Sequence, residues 1–279
     1  MQLDQTRIPI RERSYLELLD LALHIVRRHG MALLFLNALG AAPWFVFNFW
    51  VLKPYAPHDV SSDSSFASDL FEYYAMMACL LVWELPMASA FATRYLGLAL
   101  FVDRPRLGNV FVDVFKSLPQ LVIVQLVLRG ILTLFCVTWL VMFWLWPHMN
   151  EIILLERNPL FRGRSQPIST FSRCGSLHAY SSGELLSRWL MSLLVAIPWV
   201  AMLFLAMLFL QTMVTGEFHF GASIWVLMLP VVIWMVIGYF NVVRFLGYLD
   251  LRIRREGWEV ELRMRAEGAR LQQEMELEL

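Results

Sequence analysis

Two charged residues stand where charge is expensive. Glu84 and Arg129 each lie well inside a long apolar run. A lone charge near the bilayer centre costs ~2.5–3.5 kcal/mol on insertion scales, so such residues usually pair or line a wet cavity. Two chemistries follow. One is an internal Glu84–Arg129 ion pair that sets helix register. The other is a polar intramembrane site for a charged substrate or a proton relay. Arg94 is a further partner for Glu84, or else snorkels its long side chain to the membrane surface. Glu151 and Glu156, with His148, gather near the end of another apolar run and extend the candidate polar site.

Metal and nucleophile chemistry have weaker support. His148 and Glu151 lack the second Glu-x-x-His pair that a diiron bundle uses. Cys174 and His178 are four apart and share a helical face, but two ligands do not make a zinc site. Ser172 and Ser176 have no His/Asp arrangement near them. No metal and no cofactor is expected. Arg252, Arg254 and Arg255 form a basic cluster after the last apolar run. It suits anionic lipid headgroups, and equally a cytoplasmic anchor for the last helix.

The composition says which elements hold these residues. Of 279 residues, 58% are hydrophobic and only 16% are charged. A typical soluble domain has about a quarter charged. With 11 Trp and 20 Phe, a soluble fold cannot hide this much apolar surface. Several segments must lie in lipid. Lys+Arg and Asp+Glu are both 23, so net charge gives no reason to expect nucleic acid. Cys79, Cys136 and Cys174 are odd in number and widely spaced, which argues against a disulfide framework. Asp4, Arg7, Arg11, Glu12 and Arg13 precede any apolar run, which does not fit a cleaved signal peptide.

Along the chain, residues 14–29 read as an amphipathic interfacial helix. Ser14 and Glu17 have capping-box spacing. Tyr15, Leu18, Leu19, Ala22, Ile25 and Val26 share one face. That face suits the membrane surface, or the protein's own cytoplasmic loops. Crossings are expected near 31–52, 71–100, 189–214 and 222–247. The segment 102–118 reads as a short basic connector, partly amphipathic helix. The stretch 119–156 has 38 residues and no polar loop. As one helix it would be roughly 57 Å long, against a hydrocarbon core of ~30 Å. Two crossings, 119–136 and 138–156, fit with a turn around Cys136–Thr138. The alternative is one helix ending at Trp146-Pro147, with 148–156 on the far side.

Charge decides between these. Segments 1–30, 102–118, 157–188 and 244–279 hold 20 of the 23 Lys and Arg. The loops 53–70 and 215–221 hold only Lys53. The positive-inside rule places the four basic segments on the cytoplasmic face. That requires 119–156 to cross twice. The expectation is an all-α integral membrane protein with about six transmembrane helices, an N-terminal amphipathic interfacial helix and a charged cytoplasmic tail. Residues 1–30 form the interfacial segment, 31–247 the six-span domain and 248–279 the tail. Both termini are cytoplasmic, in the cell's inner membrane. Gly257 ends the last helix, and Trp258, Val260, Leu262 and Met264 then alternate with charged residues at strand periodicity.

Two stretches carry a resemblance. One is Asn150-Glu151-Ile152-Ile153-Leu154-Leu155-Glu156-Arg157. The other runs from Tyr248-Leu249-Asp250-Leu251-Arg252 through Arg254-Arg255-Glu256-Gly257-Trp258 to Leu262. Together they resemble bacterial multi-span proteins similar to the membrane domain attached to some glycerophosphoryl diester phosphodiesterases. The resemblance implies a fold and a bacterial membrane setting. It does not imply catalysis, because no segment here could form the soluble catalytic barrel. Three readings of function follow. The first is a membrane-embedded assembly subunit that docks a protein partner on its cytoplasmic face. The second is a transporter or lipid-handling protein using the polar site around Glu84 and Arg129. An enzyme is the weakest. The partners expected are the lipid bilayer, anionic lipids and a cytoplasmic protein, with no nucleic acid.

Overall fold

The computed structural model describes residues 13–56, 64–102, 104–134, 148–161, 168–178, 181–216 and 224–257. All regular structure among them is helical. Five helices are long and apolar enough to cross a membrane: Tyr15–Tyr55, Ala67–Ala99, Leu107–Leu132, Ser182–Thr215 and Ile224–Glu256.

Helix α1 spans Tyr15–Leu52, and the Ser14 hydroxyl accepts from the Glu17 N–H at 3.4 Å to start it. Its 38 residues contain a kink at His29, with φ −112° and ψ 17°. The kink falls where the amphipathic segment was expected to meet the first crossing. The amphipathic face does not lie on lipid. Leu18 and Ala22 are buried in the main apolar core. Tyr239 donates to the Leu19 carbonyl at 2.9 Å, the Tyr15 hydroxyl meets Ser192 Oγ at 2.6 Å, and the Arg13 N–H donates to Asp250 at 3.0 Å. Of the two surfaces open to this helix, its own protein wins, because the neighbouring helices offer both apolar contact and polar partners.

Helix α2 (Ser64–Ala88) and α3 (Ala90–Ala99) are one path interrupted at Ser89, three residues after Pro86. Proline inside a helix removes one ladder bond and crowds the preceding turn. Helix α4 (Leu107–Leu121) continues through a π-helical stretch, Val122–Leu128, into α5 (Arg129–Leu134). The expected connector 102–118 is therefore mostly the first turns of a long helix. Its Val110, Val114 and Leu121 repeat at helical spacing and are buried. The expected turn at Cys136–Thr138 lies outside the described residues.

The chain returns at His148. Helix α6 (Met149–Glu151) passes into a second π-helical turn, Ile152–Glu156, which Arg157 closes in a left-handed conformation. Helix α7 (Thr170–His178), α8 (Ser182–Thr215) and α9 (Leu229–Glu256) follow, α9 preceded by a π-helical turn at Ile224–Met228. Gly257, with φ 65°, ends α9 as its sequence position indicates; the alternating tail after it lies outside the described residues.

Both ends of 119–156 lie at one end of the bundle. Gln120 Nε2 donates to the Asn158 carbonyl at 3.0 Å and to Thr170 Oγ1 at 2.8 Å. The core packs α1, α3, α4, α6 and α9 around Leu33, Leu96, Leu121, Ile153 and Phe245. Helix α8 is peripheral: among its described residues only Leu185 and Leu208 are buried.

Candidate functional site

Glu84 is fully buried, but Arg129 is not its partner. Its Oε2 accepts from Asn48 Nδ2 of α1 at 2.8 Å. The reason is azimuth. Successive helix residues turn by ~100°, and Trp83 is the one facing the π-helical stretch, where its Nε1 donates to the Leu126 carbonyl at 2.8 Å. Glu84 is thereby turned towards α1. Arg129 Nη1 donates to Gln125 Oε1 at 3.3 Å and stands in the field of Arg244 and Glu151. Arg94 also misses Glu84. It donates to Asp113 Oδ2 at 2.9 and 2.6 Å, and Arg157 pairs with the other oxygen of the same carboxylate.

The buried cluster forms one step away, where the α2/α3 break and the 148–156 segment meet the continuous helix α9. Glu151 is fully buried, and Arg244 Nε donates to its Oε1 at 2.6 Å. Arg244 Nη2 also donates to Ser89 Oγ at 3.2 Å and Asn241 Oδ1 at 3.3 Å. Asn150 Nδ2 donates to the Pro86 carbonyl at 3.1 Å, and the Ser89 hydroxyl donates to the same carbonyl at 3.2 Å. Thr93 donates to Asn241 at 3.3 Å. Among the described residues, Glu151 Oε2, His148 Nδ1, Asn150 Oδ1 and Asn241 Nδ2 are buried here with no hydrogen-bond partner. His148 Nδ1 stands 3.9 Å from Glu151 Oε2. Its ring lies 5.7 Å from that of His178 and within the field of Arg244 and Arg188. Gly247 leaves room beside it: a methyl there would sit 3.9 Å from both His148 Cε1 and Arg188 Nη1. Buried polar groups are normally satisfied by protein or by bound water.

Towards the loop-rich end the charges interlock. Glu156 accepts from Arg173 at 2.7 and 3.1 Å and from the Tyr248 hydroxyl at 2.8 Å. Glu256 pairs with Arg173 and, at 2.8 Å, with Arg252. Asp250 takes Arg188 at 2.7 Å and Arg254 at 3.0 Å. Glu184 takes the same two arginines at 2.8 and 2.9 Å. Arg255 donates to Ser181 Oγ at 2.8 Å. Arg252, Arg254 and Arg255, expected as a lipid-headgroup cluster or a cytoplasmic anchor, each hold partners within the protein, and Arg255 is exposed. The hydrogen bonds from Arg173 to Glu156 and Glu256 hold its guanidinium protonated more firmly than usual.

Cys174 and His178 meet, Sγ to Nδ1 at 3.1 Å. Burial pushes the Cys174 thiol up to about 12, and the charge on Glu151 adds to this. A thiol so held is a poor nucleophile. Among the described residues no three His, Cys, Asp or Glu converge to hold a metal ion.

Of the residues singled out in the sequence, Arg129, Glu151 and His148 come near one another and Glu84 stands apart with Asn48; Arg244, Asn241, Asn150, Ser89 and Asn48 are not flagged by sequence reasoning. The available signal was polar side chains within apolar runs. Arg244 was absorbed into the basic count of the tail. Together, the described residues define a helical fold with five helices long and apolar enough to cross a membrane, packed around an arginine–carboxylate cluster. Compared with protein-family models, curated proteins and solved structures, the chain gives no match.

Proposed function

We propose that the chain is a transport or lipid-handling membrane protein that takes an anionic group at the Glu151–Arg244 site. One observation carries the reading: an ion pair of the fully buried Glu151 with the part-buried Arg244 sits where α2/α3 and the 148–156 segment are interrupted, among polar atoms without partners among the described residues. Broken helices that open polar backbone and side chains at depth are how membrane proteins build substrate sites. Single π-turns often mark functional positions. The charges favour an anion, because among the described residues Arg129 and Arg244 both stand near the carboxylate Glu151, and His148 lies in the field of Arg244 and Arg188. The setting we propose is six crossings in a bacterial inner membrane, with both termini and the charged tail cytoplasmic. The Gln120–Asn158 contact supports two passes through 119–156. It argues against a far-side 148–156.

Reconstitution into vesicles of phosphatidylcholine and phosphatidylglycerol tests the reading. Transbilayer movement of fluorescent phosphatidylglycerol and leakage of trapped phosphate are followed together. Acceleration of either over protein-free vesicles, lost in Arg244→Gln at preserved folding, is expected. Neither flux rising above the protein-free rate overturns it.

The second reading, an assembly subunit, draws on the interlocked basic end. Arg173, Arg188, Arg252 and Arg254 are each held by carboxylates, giving a fixed charge pattern of the sort a docking partner reads. A partner that stays bound through detergent purification, and is released by Arg173→Ala, would favour it.

A further inference from the structure

We propose that Glu84 is a proton-binding site within the membrane, held as a carboxylic acid in a reciprocal pair with Asn48. The residues are separate from the Glu151–Arg244 site, and the inference goes beyond the reading given for it.

The argument is hydrogen-bond accounting. Asn48 Nδ2 donates to Glu84 Oε2 at 2.8 Å. Two atoms of the same pair, Glu84 Oε1 and Asn48 Oδ1, are buried without a partner. Both are acceptors when the carboxyl is ionised, so they cannot satisfy each other. One proton on Oε1 changes that. The acid O–H becomes a donor whose complement is Asn48 Oδ1. Acid and amide are both planar with paired edges, so together they close a ring of two hydrogen bonds. A buried carboxylate with one hydrogen bond and no counter-charge is the costly alternative.

Among the described residues no cation offers that counter-charge. Burial and the Asn48 hydrogen bond are the influences that act on Glu84, and no charged group is among them. The charged residues on the elements packed against α2 are occupied or remote. Arg129 is bonded to Gln125 and stands in the field of Glu151 and Arg244. Arg94 on α3 is committed to Asp113. On α1, Arg27 and Arg28 precede the His29 kink, and Lys53 is exposed just past the helix end.

Binding takes one proton from solvent and forms one O–H bond; release returns it and leaves a carboxylate. Release also breaks the Oε1–H···Oδ1 contact between α1 and α2. Glu84 lies five residues before Ser89, on the same helical path that Pro86 and Ser89 interrupt. Proton exchange at Glu84 therefore acts on the helix pair that borders the polar cluster.

Glu84→Gln tests this directly. Glutamine keeps both contacts with no proton: its Oε1 accepts from Asn48 Nδ2, and its Nε2 donates to Asn48 Oδ1. The expected result is a melting midpoint equal to the parent at neutral pH. Infrared spectra of the parent at neutral pH should show the carbonyl band of a protonated carboxylic acid, downshifted in deuterated water. The band should vanish in Glu84→Gln and move in Glu84→Asp, which keeps an acid in an altered position. If Glu84→Gln does not fold, the parent and Glu84→Asp spectra still decide. An acid band missing from the parent at neutral pH, or one unchanged in every variant that folds, overturns the proposal.

Discussion

Replacing Glu151 by Leu strands Arg244. The guanidinium keeps Ser89 and Asn241 as hydrogen-bond acceptors but loses the carboxylate at 2.6 Å, its one anionic partner among the described residues. Breaking a buried pair by removing one partner costs ~3–5 kcal/mol, whereas removing both is often nearly neutral. The two halves of the pair are not equally buried: Arg244 is 22% exposed and Glu151 is 0% exposed. Water can reach the stranded arginine, so Glu151→Leu belongs at the low end, about 3 kcal/mol. Arg244→Met strands a carboxylate with no exposure and belongs at the high end, about 5 kcal/mol. Each kcal/mol moves the midpoint by ~2–4 °C at this approximate size, so the expected drops are roughly 6–12 °C and 10–20 °C. Glu151→Leu with Arg244→Met should melt close to the parent, and above both single variants. Tryptophan fluorescence during heating of all four proteins in one detergent measures this. Glu151→Leu melting with the parent would show that the pair does not hold α9 to the 148–156 segment. A double variant that falls by the sum of the singles would show that the two groups are uncoupled.

Three other outcomes follow from the same geometry. Gly40→Ala should destabilise the protein by ~1–3 kcal/mol, because the new methyl falls on the Ala88 carbonyl, 2.9 Å from its carbon, and backbone there cannot swing aside; a midpoint equal to the parent refutes that close approach of α1 and α2. The Cys174 thiol keeps its proton up to about 12 when folded, against 9.0 ordinarily. The folded state therefore binds the extra proton in that window, and stability falls as pH rises through it. Cys174→Ala should remove that alkaline loss, and maleimide should label Cys174 slowly at neutral pH until the chain is unfolded; rapid labelling of the native protein contradicts the burial. Reporter fusions at residues 65 and 218 should read outside, and at 110, 170 and the C-terminus inside. A C-terminus outside would require an odd number of crossings.

The parts legible in the sequence are those carried by one-dimensional signals. Apolar run length marked where the long helices lie, and Gly257 marked the end of α9. Depth was legible too: Glu84, Arg129 and Glu151 are all buried, as charges within apolar runs should be. Azimuth was not. Whether Glu84 faces α1 or α5 depends on which neighbour takes Trp83, and that contact is made 43 residues away. The three π-helical stretches also escape a periodicity reading, since each re-aims the residues after it without altering composition. The amphipathic face of 14–29 was visible, but composition cannot tell lipid from a helix that supplies Tyr239 and Ser192.

The same limit explains why partner choice went wrong in one consistent direction. Matching charge to charge gives Glu84 to Arg129, because both are ionisable. In a low-dielectric interior, a carboxyl has a second option that sequence statistics do not flag: an amide, with which a protonated acid is fully satisfied at no charge. Arginine has no such option, because it stays protonated and must find acceptors. The two residues therefore separate on chemical grounds. Arg129 turns towards the side where Glu151 supplies a carboxylate, and Glu84 turns towards Asn48. If Glu84 were made permanently neutral by Glu84→Gln, Arg129 should not notice. Stability would then depend on Glu151 alone, so Glu151→Leu should cost the same in the Glu84→Gln background as in the parent. A larger cost in that background would mean that Glu84 carries charge and shares the compensation of Arg129.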